Sequence, residues 1–535
     1  MAVPTLTNTP TIINQANTLD AGSWAGGTFE PDVTVDEQGS IAATLRAAGA
    51  TLSVSTSFTS AGNHVRGWFQ FTAVPDLDFI DFELNGGTAT YTLFDGPPET
   101  NSAAGVPRYR GGWFYVLVDL DRAPDSGTVP TTTTSIGYEF NRVAQPRNVI
   151  NTFADVLWRG DGYTCTGGTS GDPITFETIA SADASAGLYY GVVQTVRDTT
   201  FVFGAVTIGS GATATYCTVA NEAIIFDDQR LVATDLYKII ATGSGTTFDA
   251  TNSLFKGNGA QTFDFDMSAV NTLICDTNVL IQAVPTFGSG QNVVLSTFIN
   301  CGLTTQGGAA ITGCTFDNTS ADTAVISTGS TADLITNCTF KGDGTSHAVD
   351  LGTIASTSGI TWTSTYTGYA GTSAGPSASS TSGDSETILV NVASGQTLTI
   401  SVTGTGVAPT VRNTGAGTVS IVSSKTATIE NIEEGTEVRV YSYSDINSPL
   451  SYTELVGAES VGTTPVSSTF ASISADPNNT GKFLATFSYN TAGGNIPTVV
   501  VGASTTFGYF RTQKVLNSLA DTSVTLFQSF DRQYI

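Results

Sequence analysis

The chain has 535 residues, 46 of them acidic and 20 basic, for a formal net charge of −26. That balance disfavours unaided binding to nucleic acid phosphates or to an anionic membrane, because both require a positive footprint. Only 12% of residues are charged while 40% are hydrophobic, which leaves too few Lys, Glu, Arg and Gln to solvate helix faces, and the abundance of Thr, Val and Gly suits pleated strands and turns, so the reading is all-β.

Residues 1–30 are polar and Thr/Asn-rich, with Pro4 and Pro10, and read as an extended N-terminal arm. The opening MAVPTLTNTPTIINQ has no basic stretch leading into an apolar core, so no secretory signal is expected. No run of about 18 apolar residues is present, so no membrane-spanning helix is expected.

Residues 31–150 predict a β-sandwich or jelly roll. Gly67–Phe71, Asp78–Leu84 and Ala89–Phe94 alternate apolar and polar side chains over much of their length, as half-buried strands do. Turns are expected at Asn85-Gly86-Gly87 and Asp95-Gly96-Pro97-Pro98. Gly112–Leu120 is apolar enough for a central strand. Asn148–Trp158 reads as a short helix or as a first rung that caps the next domain.

Residues 151–365 predict a parallel β-helix. TNSLFKGNG at 251–259 and TNCTFKGDG at 336–344 agree at six of nine positions, with STF at 296–298 and CTF at 314–316 between them. Phe298 and Phe316 are 18 residues apart and Phe316 and Phe340 are 24 apart, a spacing suited to solenoid rungs with corner insertions of unequal length. In each repeat a small residue (Ser253, Ser296, Cys314, Cys338) and a Phe two positions later (Phe255, Phe298, Phe316, Phe340) point to one side of the strand. Stacked rungs would align them into one small-residue column and one Phe column, both facing the core. Residues 366–424 read as a Gly/Ser/Thr-rich linker and a small β segment, whose alternating strands either continue the solenoid or open a separate sheet. Residues 425–535 predict a small C-terminal β-sandwich with strands at Glu437–Tyr441, Lys482–Tyr489, Pro497–Val501 and Thr525–Ile535.

Chemistry is sparse. Asp227 with Asp228, Asp264 with Asp266, and Asp343 with Asp350 are candidate carboxylate pairs for glycan cleavage. In Phe263-Asp264-Phe265-Asp266 the two Asp share a strand face with Cβ atoms about 7 Å apart. A solvent-facing strand gives the same pattern, so no catalytic residue is assigned. His64 and His347 are the only histidines. They fall in different expected domains, which argues against a Ser/His/Asp or Cys/His centre; His347 reads as a solvated turn residue. Cys165, Cys217, Cys275, Cys301, Cys314 and Cys338 lack paired ligand spacing and read as buried thiols, not as a zinc site. Trp362, Tyr366 and Tyr369 are candidates for stacking on sugar, with a core role weighed more heavily. Asp317-Asn318 and Asp343 lie in turns that lack the pattern of a known calcium loop. No metal-binding or cofactor-binding residue and no cofactor is assigned.

Three stretches carry a family resemblance: the TNCTFKGDG-type solenoid; Val156–Gly209 with its FETIASADAS segment at 176–185; and the module from Ile429 through Tyr441 to the terminal Phe530-Asp531-Arg532-Gln533-Tyr534. Together they resemble structural proteins of tailed-bacteriophage virions, namely tail spikes, fibres and head-decorating proteins. The resemblance implies a virion-surface location, other virion proteins of head or tail as partners, and a homotrimer. A host-surface glycan is a further candidate partner; nucleic acid and membrane are not. It transfers no catalytic residue. The expected function is thus a surface appendage or decoration contributing to host adhesion. The alternatives are a tail spike glycan depolymerase and a bacterial surface-layer or adhesin protein.

Overall fold

The computed structural model describes the chain apart from residues 1, 15, 17–22, 34–39, 46–48, 73–76, 96–112, 143–149, 185–189, 197–198, 227–236, 258–261, 318–323, 328, 343, 345, 382, 444–451, 459–460, 463–467, 491–495, 502–511, 516–522 and 526–535. It is all-β with a parallel β-helix, and the chain divides into two compact units, Met1–Ala309 and Ala310–Ile535.

The first unit opens with the expected sandwich. One sheet orders Phe114–Asp119, His64–Phe71, Ile150–Arg159, Ser40–Leu45 and Thr28–Glu30; the other orders Ser126–Gly127, Ala89–Asp95, Leu77–Leu84, Thr132–Arg142, Gly49–Thr59 and Trp24–Ala25. All pairings are antiparallel, and alternate residues such as Leu52, Val54 and Phe58 turn into the shared core. Aromatic rings fill its centre: Phe71 stacks on Phe114 at 5.1 Å and Phe82 meets Tyr138 edge-on at 5.4 Å. Asn85, Gly86 and Gly87 turn the hairpin with φ of 49°, 63° and 84°. Left-handed backbone of this kind favours Asn and Gly. The Asn85 carboxamide also accepts from Thr134 N and Ser135 N and donates to Thr132 O, fixing the turn to the next strand. Ile150–Arg159 is a central strand of the first sheet, not a helix or a rung.

Past Gly160 (φ 110°) the chain enters Gly162–Thr166, the first parallel strand of the solenoid. The expected N-terminal arm lies across this junction. Thr5–Thr7 pairs antiparallel with Gly162–Thr166, and Thr11–Asn14 pairs with Ile150–Arg159. Next comes a short helix, α1 (Phe176–Asp183). Thr175 caps it, its hydroxyl accepting from Thr178 N while the Thr178 hydroxyl accepts from Thr175 N, and Phe176, Ile179 and Asp183 are its buried side.

Two strand columns then build the rungs of this unit. The long sheet runs Gly162–Thr166, Ala205–Ile208, Lys238–Thr251, Phe263–Asp276, Ala283–Thr286 and Thr304–Thr305. The narrow sheet runs Thr199–Val202, Ala223–Phe226, Leu254–Lys256, Val279–Ile281 and Thr297–Ile299, all parallel. The inward column of the narrow sheet is Ile224, Phe255, Leu280 and Phe298, each fully buried. The small-residue column is Ser253, Asn278 and Ser296, knitted by Ser253 N to Asn278 Oδ1 (2.8 Å) and Asn278 N to Ser296 Oγ (3.2 Å).

The second unit repeats the scheme. Thr315–Asp317, Thr339–Lys341 and Thr365–Thr367 stack in parallel, placing Phe316 on Phe340 at 5.1 Å, and Phe340 on Trp362 at 6.1 Å. Parallel pairing continues through Ile388–Val392, Thr397–Val402, Val411–Asn413 and the strand beginning at Thr418, so the alternating segment after 386 forms further rungs. Much of the Gly/Ser/Thr-rich stretch before it is held by main-chain bonds, among them Ala374 N to Val411 O, Asn413 N to Ala374 O and Ser377 N to Gly415 O. The strand Thr418–Ile432 ends the solenoid with its first half. With its second half it joins Phe483–Asn490 in a sheet of the C-terminal sandwich. Val438–Tyr443 lies at the centre of the opposing sheet, and Ala427, Ile429, Val438, Val440 and Phe487 share the core. The expected strand at Thr525–Ile535 lies almost wholly outside the described residues, of which Ser523–Thr525 pairs with Thr428–Glu430.

Candidate functional site

Among the described residues of the first unit, buried polar groups converge at the sandwich–solenoid junction. Asp183, at the end of α1, is 1% exposed. Its carboxylate accepts from Tyr163 Oη (2.9 Å), Gly191 N (2.6 Å), Val192 N (2.9 Å) and Val193 N (3.1 Å). Burial pushes its pKa up, opposed by these donors and by the Arg66 charge. Arg66 is itself buried on the sandwich strand His64–Phe71. It lies over the Trp158 ring at 4.9 Å and donates to Tyr190 O. Around it Trp68, Trp113, Leu117, Phe153, Trp158 and Phe203 form one apolar cluster shared by sandwich and solenoid. The site holds a carboxylate and a guanidinium in fixed positions away from solvent, which suits a structural bolt.

The candidate carboxylates lie elsewhere. Asp264 and Asp266 do share one outward strand face. Asp264 faces Lys238 at 3.9 Å, and Asp266 accepts from Ser268 N (2.9 Å) and Ser268 Oγ (2.6 Å). Asp350 accepts from Gly352 N at 2.8 Å, as a turn-forming carboxylate does; Asp227, Asp228, Asn318 and Asp343 lie outside the described residues. Asp317 pairs with Lys341 at 3.1 Å.

A carboxyl group held near neutrality occurs on a segment that reads from its residues only as a strand. Glu83 is 9% exposed, and burial together with the neighbouring charges of Glu139 and Asp81 pushes it up to about 7. Asp81 and Glu139 are direct cross-strand partners, and Gly137, opposite Glu83, presents no side chain. Glu222, at the corner over α1, is likewise raised to about 7, by burial and then by Glu177. Two surface cavities contrast with these groups. One of about 280 Å³, in the second unit, is lined by residues including Ser373, Pro376, Asn413 and Ile421 and has no carboxylate. The other, of about 700 Å³, lies beside the first sandwich sheet and has Glu30 alone.

His347 departs from the expected solvated turn. It is 6% exposed, with Nδ1 at 2.6 Å from Glu386 O. Glu386 in turn holds Arg412 through both carboxylate oxygens, at 2.7 and 3.0 Å, and Asp384 lies 3.2 Å from Arg412 Nε. This cluster pins the loop before Ile388 to the Val411–Asn413 rung. Trp362 and Tyr369 are buried, and the Tyr366 hydroxyl donates to Ala408 O, so these aromatics pack inward instead of offering a sugar platform. All six cysteines are buried free thiols. Among the described residues no group of three or more His, Cys, Asp or Glu is placed to hold a metal ion, and no helix is long and apolar enough to cross a membrane.

No family model and no curated relative matches the chain. Among solved structures it is similar to the Agl-KA catalytic domain, at 11% identity and a TM-score of 0.21, covering 78% of this chain and 97% of that one. It is also similar to the catalytic domain of a GH87 alpha-1,3-glucanase in complex with tetrasaccharides, at 10% identity and a TM-score of 0.17, covering 78% and 94%. Likenesses at these scores carry no argument about this chain's chemistry.

Proposed function

We propose that the chain is a structural protein of a virion surface, an appendage or decoration of the tailed-bacteriophage type. The observation that supports this most is the junction of the first unit. The sandwich and the capped solenoid share one buried aromatic cluster, and the first strands of the chain pair with both. A joint tied both by a shared core and by strand pairing resists bending, as a stalk presented from an anchoring domain requires. The sequence resemblance supplies the phage context. Immunogold labelling of intact particles tests the reading: label on head or tail is expected, whereas label confined to uninfected cell surfaces would overturn it.

A glycan-cleaving spike is the second reading. It rests on Asp264 and Asp266, two carboxylates on one outward strand face of the solenoid, the arrangement that a carboxylate pair for glycoside hydrolysis needs. Its test is oligosaccharide release from host capsule or lipopolysaccharide. Wild-type release that Asp264→Asn or Asp266→Asn abolishes supports it, and no wild-type release counts against it.

A further inference from the structure

The two Phe-bearing rungs of the second unit each carry a cysteine two positions before the ring. Thr315–Asp317 pairs in parallel with Thr339–Lys341, Thr315 against Thr339, so Cys314 stands beside Cys338 on the next rung. A main-chain bond joins the same positions, Thr339 N donating to Cys314 O at 2.9 Å. Two residues further on, the Phe316 and Phe340 rings stack at 5.1 Å with their planes 9° apart, so the side chains of these rungs stand in line. The two thiols take the same orientation: Cys314 Sγ lies 3.6 Å from Thr312 O, and Cys338 Sγ lies 3.4 Å from Thr336 O. Cys338 Sγ is also 3.5 Å from Ile311 O, on the rung of Cys314, so it leans towards its neighbour.

Stacked parallel strands lie about 4.8 Å apart, and a disulfide needs Cα atoms about 4.4–6.8 Å apart with Cβ vectors that do not diverge. The stacked pair meets both conditions. Three of the other four cysteines have no cysteine at the paired positions: Cys165 faces Leu6 and Ile208, Cys217 faces Ile174 and Phe248, and Cys275 lies between Ala250 and Val293. Reactivity separates the pair as well. The Cys314 thiol donates to Cys338 and holds its pKa below the ordinary thiol value, against the effect of burial, whereas burial pushes Cys275 and Cys301 up. The thiolate is the attacking form, so Cys338 is the thiol that reacts first.

We propose that Cys314 and Cys338 form a redox modification site, closed to a disulfide by a small oxidant of the peroxide class. Both residues are 1% exposed, which shuts out bulky reagents and selects an oxidant the size of hydrogen peroxide. The Cys338 thiolate attacks one peroxide oxygen; the S–O bond forms as the O–O bond breaks, and the departing hydroxide takes up the Cys338 proton as water. The Cys314 sulfur then attacks the resulting Cys338 sulfenic acid. The S–S bond forms as the S–O bond breaks, and the second hydroxide leaves as water with the Cys314 proton. The two thiols lose two electrons in all, and one peroxide is reduced to two waters. The bond ties adjacent rungs whose cysteines are 24 positions apart in the sequence, a cross-link that restrains the unfolded chain.

The test treats the folded full chain with hydrogen peroxide, removes the oxidant, denatures without reductant and counts thiols, with mass spectrometry of an unreduced peptide digest. The untreated chain should show all six thiols and the treated chain four, with the peptides of Cys314 and Cys338 joined, and reductant should restore six. Cys314→Ser installs the residue that fills the same position at Ser253 and Ser296, and far-UV circular dichroism confirms its fold. It should keep all five of its thiols under the same treatment, whereas Cys301→Ser, which leaves the pair intact, should fall from five to three. Six thiols after treatment of wild type, a cross-link between other cysteines, oxygen added to a cysteine with no cross-link, or loss of two thiols from Cys314→Ser would overturn the proposal. The proposed virion location would stand in each of those cases, because labelling of particles tests it separately.

Discussion

Asp183 shows how one buried side chain can hold a junction. Three backbone amides and a tyrosyl hydroxyl converge on it, so removing the carboxylate leaves four buried donors without an acceptor. Asp183→Ala is therefore expected to destabilise the first unit by about 2–4 kcal/mol, and Tyr163→Phe by about 1 kcal/mol, read from the shift of the thermal transition. Glu83 and Glu222 act in the opposite sense. Their folded pKa values of about 7 lie above the ordinary 4.5, so the folded chain binds more protons than the unfolded chain between those values. Stability from these groups is full below about pH 4.5 and is lost as pH rises towards 7. Glu83→Gln and Glu222→Gln should each melt a few degrees higher than wild type at pH 8 and level with it at pH 4. Equal melting at both pH values would show that neither carboxyl is held protonated by the fold.

At the scale of elements, the rung is the unit of construction, and its legibility varies with its residues. Phe255, Phe298, Phe316 and Phe340 stand in the inward columns as their shared motif implies. The rungs carrying Ile224 and Leu280 escape the motif because another apolar residue fills the same slot, and side-chain period alone cannot reveal stacking. The rungs after Ile388 show why that segment reads two ways: alternation looks the same in a parallel rung and in a separate sheet. Helix α1 is only eight residues long, with Thr175-x-x-Thr178 as its one local signal. The burial of His347 has no local signal at all, since its partner Glu386 O comes from a segment 39 residues away. Phe340 lies between Phe316 and Trp362, so Phe340→Ala should cost about 3–5 kcal/mol, whereas Phe340→Leu should cost much less. Limited proteolysis gives the readout, with new cleavage sites expected between 310 and 423 for the alanine variant only.

Across the whole molecule, acidity and buried sulfur set the solution behaviour. A net charge of −26 stresses any compact state through self-repulsion, so added salt should raise the melting temperature until screening is complete. The six thiols are buried and free, and burial pushes Cys275 up to about 11 and Cys301 up to about 12. A thiolate-directed reagent should find essentially none of them in the native chain and all six after denaturation. Fewer than six after denaturation without reductant would reveal a disulfide. The strands near the N-terminus bear on the timing of folding. Thr5–Thr7 and Thr11–Asn14 are synthesised early, yet their pairing partners are Gly162–Thr166 and Ile150–Arg159. On the ribosome the sandwich therefore lacks its central strand, and the early segment lacks both partners, until residues 150–166 have emerged. Chaperone dependence should be greatest in that interval, and nascent chains stalled before residue 150 should be far more sensitive to protease than chains stalled after the first solenoid strands are complete.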